Sequence, residues 1–184
     1  MEIVWYHRLF YVPIIIMTFS LFLAFILKAK RMGMPEGGKI WMTFQMISLI
    51  IFIVILWFVP FSINLAFWIG IGIIIFGEVV FALGFMAMQE HPEKEQRVVD
   101  WGIYRMSRHS HQLAGMITDL GVIIMGWNPD SLIYTILWIY LILQIIFSHF
   151  YILMEERKNI VKFGQEYKDY MKRTPRYFGV GKTS

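Results

Sequence analysis

The side chains with most chemical potential in this sequence are His109 and His111, one residue apart, and the adjacent carboxylates Glu155 and Glu156. Imidazoles beside carboxylates raise the question of a metal. The spacings H-x-x-x-H and H-x-x-H-H that hold paired iron in membranes do not occur among the five histidines, so no metal site is expected. There is no cysteine, which excludes thiolate zinc and disulfide scaffolds. No glycine-rich phosphate loop, G-x-S-x-G elbow or Ser-x-x-Lys is present to support nucleotide hydrolysis or acyl transfer. Two further carboxylates, Glu78 and Asp119, lie inside long apolar stretches. A charge at the centre of a membrane span costs about 2.5–3.5 kcal/mol on insertion scales, so each needs a partner or a water-filled cavity. Either could be a hydrogen-bonded tie between helices, or could line a pocket that meets a cationic headgroup.

The elements that position these groups follow from the spacing of charge. Of the 184 residues 58% are hydrophobic and 16% charged, with a mean hydropathy of +0.58. A soluble domain carries charge on about a quarter of its residues, so most of this surface must face lipid. An all-α integral membrane bundle of about five helices is predicted, as a single domain over 1–184. The uncharged gaps place its spans at about 9–27, 40–59, 63–87, 111–127 and 131–154. Lys28, Lys30 and Arg31 follow the first span where a cleavage site would be expected, so it reads as a retained helix. Pro60, with Ser62 and Asn64 behind it, divides the second span from the third. The turn Trp127-Asn128-Pro129-Asp130 folds spans four and five into a hairpin. Gly70, Gly77 and Gly84 repeat every seven residues along span three, a stripe that lets helix backbones approach closely.

Basic residues in short loops prefer the cytoplasm. With the N-terminus outside and the C-terminus cytoplasmic, only Arg8 lies on the wrong side. The charged segment 88–108 and the tail from Glu155 then share one compartment. Ile160, Phe163, Tyr167 and Tyr170 recur at helical spacing, which predicts an amphipathic helix over 155–170 lying on the membrane surface or against the loops, ended by Thr174-Pro175. The formal charge of +4 is small, and no basic cluster is interleaved with stacking-ready polar surface, so nucleic acid is not an expected partner. Taken singly, Arg108 and His109 read as interfacial side chains and Glu155 and Glu156 as a solvated helix end.

Taken together they carry a resemblance. Gly102-Ile103-Tyr104-Arg105, Arg108-His109, Glu155-Glu156 and Phe163-Gly164-Gln165-Glu166-Tyr167-Lys168-Asp169-Tyr170, in this order across a hairpin, resemble the membrane-embedded methyltransferases that include isoprenylcysteine carboxyl methyltransferase and the phospholipid (phosphatidylethanolamine) methyltransferases. The likeness covers about residues 82–178. It implies a cytoplasmic S-adenosylmethionine site formed by Val98, Gly102, Tyr104 and His109 with Glu155, Glu156, Tyr167 and Tyr170. It also implies a lipid or lipidated substrate reached from the bilayer, an amine headgroup suiting Glu78 or Asp119 and a prenylcysteine carboxylate suiting Arg173, Arg176 or Arg105. Methyl transfer by in-line displacement needs little acid–base help, so positioning would supply most of the catalysis. Ser110, Gln112 and Ala114 stand where the family pattern has Pro, Tyr and Gly, and Met86 replaces a glycine of the phospholipid branch. The buried acids tilt the expectation toward N-methylation of a phospholipid amine. The alternatives are carboxyl O-methylation, a relative of the sterol-type NADPH reductases, and a non-catalytic scaffold or transporter.

Overall fold

The computed structural model describes residues 11, 12, 14–16, 18, 19, 23, 38–59, 62–89 and 97–179. Among them there is no strand, and the chain is all-α. Helix α1 spans Gly38–Trp57, α2 Leu65–Gln89, α3 Ser110–Met125, α4 Leu132–Phe163 and α5 Gln165–Arg173, with a 3-10 turn at Gly102–Arg105. Thus α1 to α4 stand where spans two to five were predicted. Most of the first span, the basic loop Lys28 to Arg31, Pro60 and the residues 90–96 lie outside the described residues.

Three helices are long and apolar enough to cross a bilayer: Lys39–Trp57, Leu65–Gln89 and Leu132–Phe163. The protein is therefore a membrane protein, with side chains such as Ile40, Leu65 and Leu132 exposed on its outside where lipid would cover them. Three of the five expected spans, the second, third and fifth, are thus found as long apolar helices among the described residues. Helix α3 has only 16 residues and ends at Gly126, ahead of the hairpin turn.

The core is held by apolar side chains from all four long helices. Phe52 and Leu56 of α1, Phe67 and Ile74 of α2, Val122 and Ile123 of α3, and Tyr134, Leu137 and Leu141 of α4 form one buried cluster. Tyr11, from the first span, joins it and donates a hydrogen bond to the carbonyl of Val59. The closest approach is between α2 and α3, along the predicted glycine stripe. A methyl group at Gly70 would meet the backbone of Gly121 and Met125, one at Gly77 would meet Thr118 and Ala114, and one at Gly84 would meet Ser110 and His111. The stripe is a packing device, as its spacing suggested.

The tail is divided differently from the expectation. The first part of the predicted 155–170 helix is a continuation of α4, which runs unbroken to Phe163. Gly164 then takes φ +58°, a conformation that costs a side-chain-bearing residue but not glycine, and α5 starts in a new direction. The apolar stripe still does its work. Tyr167 and Tyr170 bury against Val98, with Ile160, Phe163 and Met171 packed around them. Of the two surfaces foreseen for this helix, the loops are the one it covers. It ends at Arg173, with Thr174 beyond, as expected.

Candidate functional site

His109 caps the start of α3, and Glu155 and Glu156 lie about two turns before the end of α4, so the short hairpin brings them level. The imidazole is 2% exposed, with Nδ1 3.4 Å from Glu155 Oε2 and Nε2 3.3 Å from Glu156 Oε1. Glu156 is the centre of a larger cluster. Its Oε1 accepts from Arg108 Nη2 at 2.9 Å and from Arg176 Nε at 3.1 Å, and its Oε2 accepts from Arg176 Nη2 at 2.7 Å. Arg108 also donates to the carbonyl of Met171 at 2.9 Å. Its backbone amide donates to the carbonyl of Pro175, so the segment after α5 is laced back over the Arg108-His109 corner.

Burial alone would raise the Glu156 carboxyl, but hydrogen bonds from His109 and Arg176 and the charge of Arg108 hold it at about 2. Burial pulls the other way on His109, discouraging its charged form, yet the two carboxylates win and raise its pKa. The signs decide a pH dependence. Stability from protonated His109 is complete below its unfolded pKa, about 6.5, and is lost as pH rises through the higher folded value. Stability from Glu156 is present above its ordinary 4.5 and is lost as pH falls toward 2. The melting temperature should therefore decline on going from pH 6 to pH 9, and His109→Gln should flatten that decline. An unchanged slope in the variant would remove His109 as its source.

Beside this cluster lies a small cavity of about 40 Å³, lined by Val98, Tyr104, Glu155, Tyr167 and Tyr170 together with Arg97, Arg108, Asn159 and Phe163. Five of the eight residues foreseen as cofactor ligands thus line one space. Tyr170 donates to the carbonyl of Tyr104 at 2.7 Å, and the amide of Val98 donates to Glu166 at 3.3 Å. Burial raises the Tyr167 phenol to about 12 and the Tyr170 phenol further, so both stay protonated donors at neutral pH. Gly102 adopts φ +57° ahead of the 3-10 turn that carries Tyr104, against Ala87. His109 and Glu156 are placed differently from the others: they do not line this cavity, and their pairings position Arg108 and Glu155, which do.

A second cavity, of about 180 Å³, lies between α1, α3 and α4 at the depth of the spans and is lined by Asp119, Gln45, Tyr140, Gln144 and Ser148 among others. His111 and Gln112 form its boundary toward the smaller cavity. Tyr104, on the other side, shares a 2.9 Å hydrogen bond between its hydroxyl and His111 Nδ1, and Gln112 Nε2 donates to Glu155 Oε2 at 3.1 Å. The two cavities are thus separated by two hydrogen-bonded side-chain pairs.

The residues foreseen for substrate separate here. Asp119 lines the larger cavity. Glu78 does not; it accepts a 3.4 Å hydrogen bond from Thr118, the interhelical tie that was the alternative reading of it. Arg173 is brought to neither cavity, being 60% exposed and paired with Asp100 at 3.4 Å. Ser110 sits fully buried in the first turn of α3, a position where proline fits well, and Gln112 uses its amide to hold Glu155. The contribution of Arg176 to Glu156 was not foreseen; the sequence reading had set Arg176 only against a substrate carboxylate.

Residues 3–174 match the family described as protein of unknown function (DUF1295). The chain belongs to that family. No curated protein and no solved structure matches it. The family match takes in α1 to α5 and therefore every residue lining the two cavities, and it stops just short of Arg176.

Proposed function

We propose that this protein is a membrane-embedded methyltransferase that uses S-adenosylmethionine to methylate a lipid amine, with its N-terminus outside and its C-terminus cytoplasmic. The observation that carries the reading is the pair of cavities sharing a wall of Tyr104–His111 and Gln112–Glu155, one at the cytoplasmic end and one within the spans. S-adenosylmethionine, when bound, supplies an electrophilic methyl group on a sulfonium. The smaller cavity has the donor set such a molecule needs. Arg97 offers a guanidinium to a carboxylate, Glu155 accepts from an ammonium or ribose hydroxyls, and the rings of Tyr104, Phe163 and Tyr167 offer faces to a purine or a positive centre. Its enclosed part takes only one end of so large a cofactor, and the rest would extend through the open mouth. His109, Glu156, Arg108 and Arg176 fix the floor and keep water out of it. The acceptor would approach from the larger cavity, its ammonium giving up a proton to the Asp119 carboxylate on that lining, and its free nitrogen would reach the methyl group where the Tyr104–His111 and Gln112–Glu155 pairs part.

Carboxyl O-methylation is less well supported, because no arginine or lysine is among the lining residues of the larger cavity, where a prenylcysteine carboxylate would face Asp119 instead. The resemblance of the motifs to the isoprenylcysteine and phospholipid methyltransferases supports the reaction class. The test is calorimetric binding of S-adenosylmethionine to the full chain in detergent, followed by transfer of labelled methyl to lipid amines. Glu155→Gln should weaken cofactor binding about tenfold or more, since a hydrogen bond to a charged group is worth about 1.5–3 kcal/mol. Binding of NADPH in its place, or no transfer to any lipid, would overturn the proposal.

A further inference from the structure

The larger cavity narrows the acceptor beyond an amine. Asp119 lines it and makes no hydrogen bond or ion pair with any described residue. The opposite side is polar but neutral: Gln144 Nε2 donates to the Tyr140 hydroxyl at 2.8 Å and to Gln45 Oε1 at 3.3 Å, while Gln144 Oε1 is buried with no partner among the described residues. The other titratable groups on the lining are His111, Tyr140 and Tyr151, and none of them is a lysine or arginine. A carboxylate kept at this depth with no lysine or arginine beside it among the described residues calls for a ligand that brings a cation. Its size limits what else that ligand brings. A cavity of about 150 Å³ holds a molecule the size of benzene, so the 180 Å³ here accepts a polar end of a few heavy atoms.

We infer that the cavity binds the ammonium end of a lipid amine that has no phosphate beside its nitrogen. In a phosphoethanolamine headgroup the phosphate is joined to the nitrogen through only two carbons. Lodging that nitrogen between Asp119 and the His111–Gln112 wall would draw the phosphate into a lining with no lysine or arginine among its described residues and with one like charge. An uncompensated buried anion is strongly disfavoured. A long-chain alkylamine brings the cation alone, and its tail leaves between the helices into the bilayer. Gln112 and Asp119 are two turns apart on α3, about 10 Å along its axis, so the nitrogen rests between them with Asp119 as counter-charge.

This inference rests on the larger cavity being the acceptor's site in the proposed function, and its test separates the two. The full chain in a neutral detergent is titrated with dodecylamine, with dodecanoic acid and with a dioleoyl phosphatidylethanolamine, and binding is read by calorimetry and native mass spectrometry. Dodecylamine should bind at least tenfold more tightly than either of the others. Asp119→Asn should lose at least tenfold of that affinity while melting as the parent does, and Asp119→Glu should retain it. Equal binding of amine and acid, or phosphatidylethanolamine binding as tightly as dodecylamine with the same dependence on Asp119, would overturn the inference. S-adenosylmethionine binding is measured on the same samples. If it is absent while amine binding depends on Asp119, the methyltransferase reading fails and the cavity assignment stands; cofactor binding without amine selectivity gives the reverse.

Discussion

Glu156→Ala is expected to be the most damaging single substitution in the cluster around the Arg108-His109 corner, lowering stability by about 3–5 kcal/mol. The Glu156 side chain is 5% exposed and compensates three cationic or cation-prone groups at once. Removing it leaves Arg108, 6% exposed, and His109, whose charged form its carboxylate neighbours favour, buried with one carboxylate fewer between them. The cost is that of stranding these charges, not the modest net value of the ion pairs, which burial largely cancels. The comparison is built into the molecule. Lys172 and Asp169 form an ion pair at 2.9 Å with both side chains half exposed or more, and Lys172→Ala should shift stability by under about 1 kcal/mol. Arg176→Ala should fall between the two, because Arg176 can be replaced at Glu156 by water. Thermal unfolding of the three variants in one detergent reads the order directly. A melting temperature for Glu156→Ala equal to that of Lys172→Ala would mean that the cluster is not buried as a unit. A cofactor-binding assay alone would mislead, since loss of binding in Glu156→Ala would follow from loss of the floor of the smaller cavity.

What could be read from the sequence was set by chain distance and turn length. The meeting of His109 with Glu155 and Glu156 was legible because a four-residue turn fixes which ends of two helices are neighbours. The line between cavity-lining and buried residues was not, because motif spacing orders residues along a helix but carries no depth: Glu155 and Glu156 are adjacent, yet one lines the cavity and the other lies behind it. Glu78 and Asp119 were both legible as acids in apolar stretches, Glu78 as the weaker candidate because its depth was less certain. Their difference comes from rotation about the helix axis, since Glu78 follows Gly77 on the side of α2 that faces Thr118. The tail was read as one helix because the three- and four-residue period runs through Gly164 without a break. Only the backbone shows that the period is carried by two helices meeting at that glycine. The shared wall between the cavities was illegible for a related reason: it is built by His111 and Gln112, and Gln112 occupies one of the positions that depart from the resembling family's pattern.

The glycine stripe allows a second large effect to be predicted with its own control. At Gly70 an added Cβ would lie 2.5 Å from the amide nitrogen of Met125 and 2.6 Å from the carbonyl oxygen of Gly121, both backbone atoms of α3. A side chain in the way could rotate aside; a helix backbone can only be displaced whole. Gly70→Ala must therefore push α3 from α2, with a cost of about 1–3 kcal/mol or more. Gly72, two residues on, has nothing within 4 Å of such an atom, and there alanine should be neutral or raise stability by up to about 1 kcal/mol through better helix propensity. Both variants change one hydrogen to one methyl in the same helix, so their difference isolates the close approach. Its consequence reaches the site as well. Gly84, on the same stripe, leaves room for Ser110 and His111, so separating α2 from α3 loosens the support behind the Tyr104–His111 pair that divides the cavities. Gly70→Ala should then lower the proposed methyl transfer at a temperature where the protein is still folded, while Gly72→Ala should leave it unchanged. Equal melting temperatures for the two variants would show that the helices are not packed at this distance.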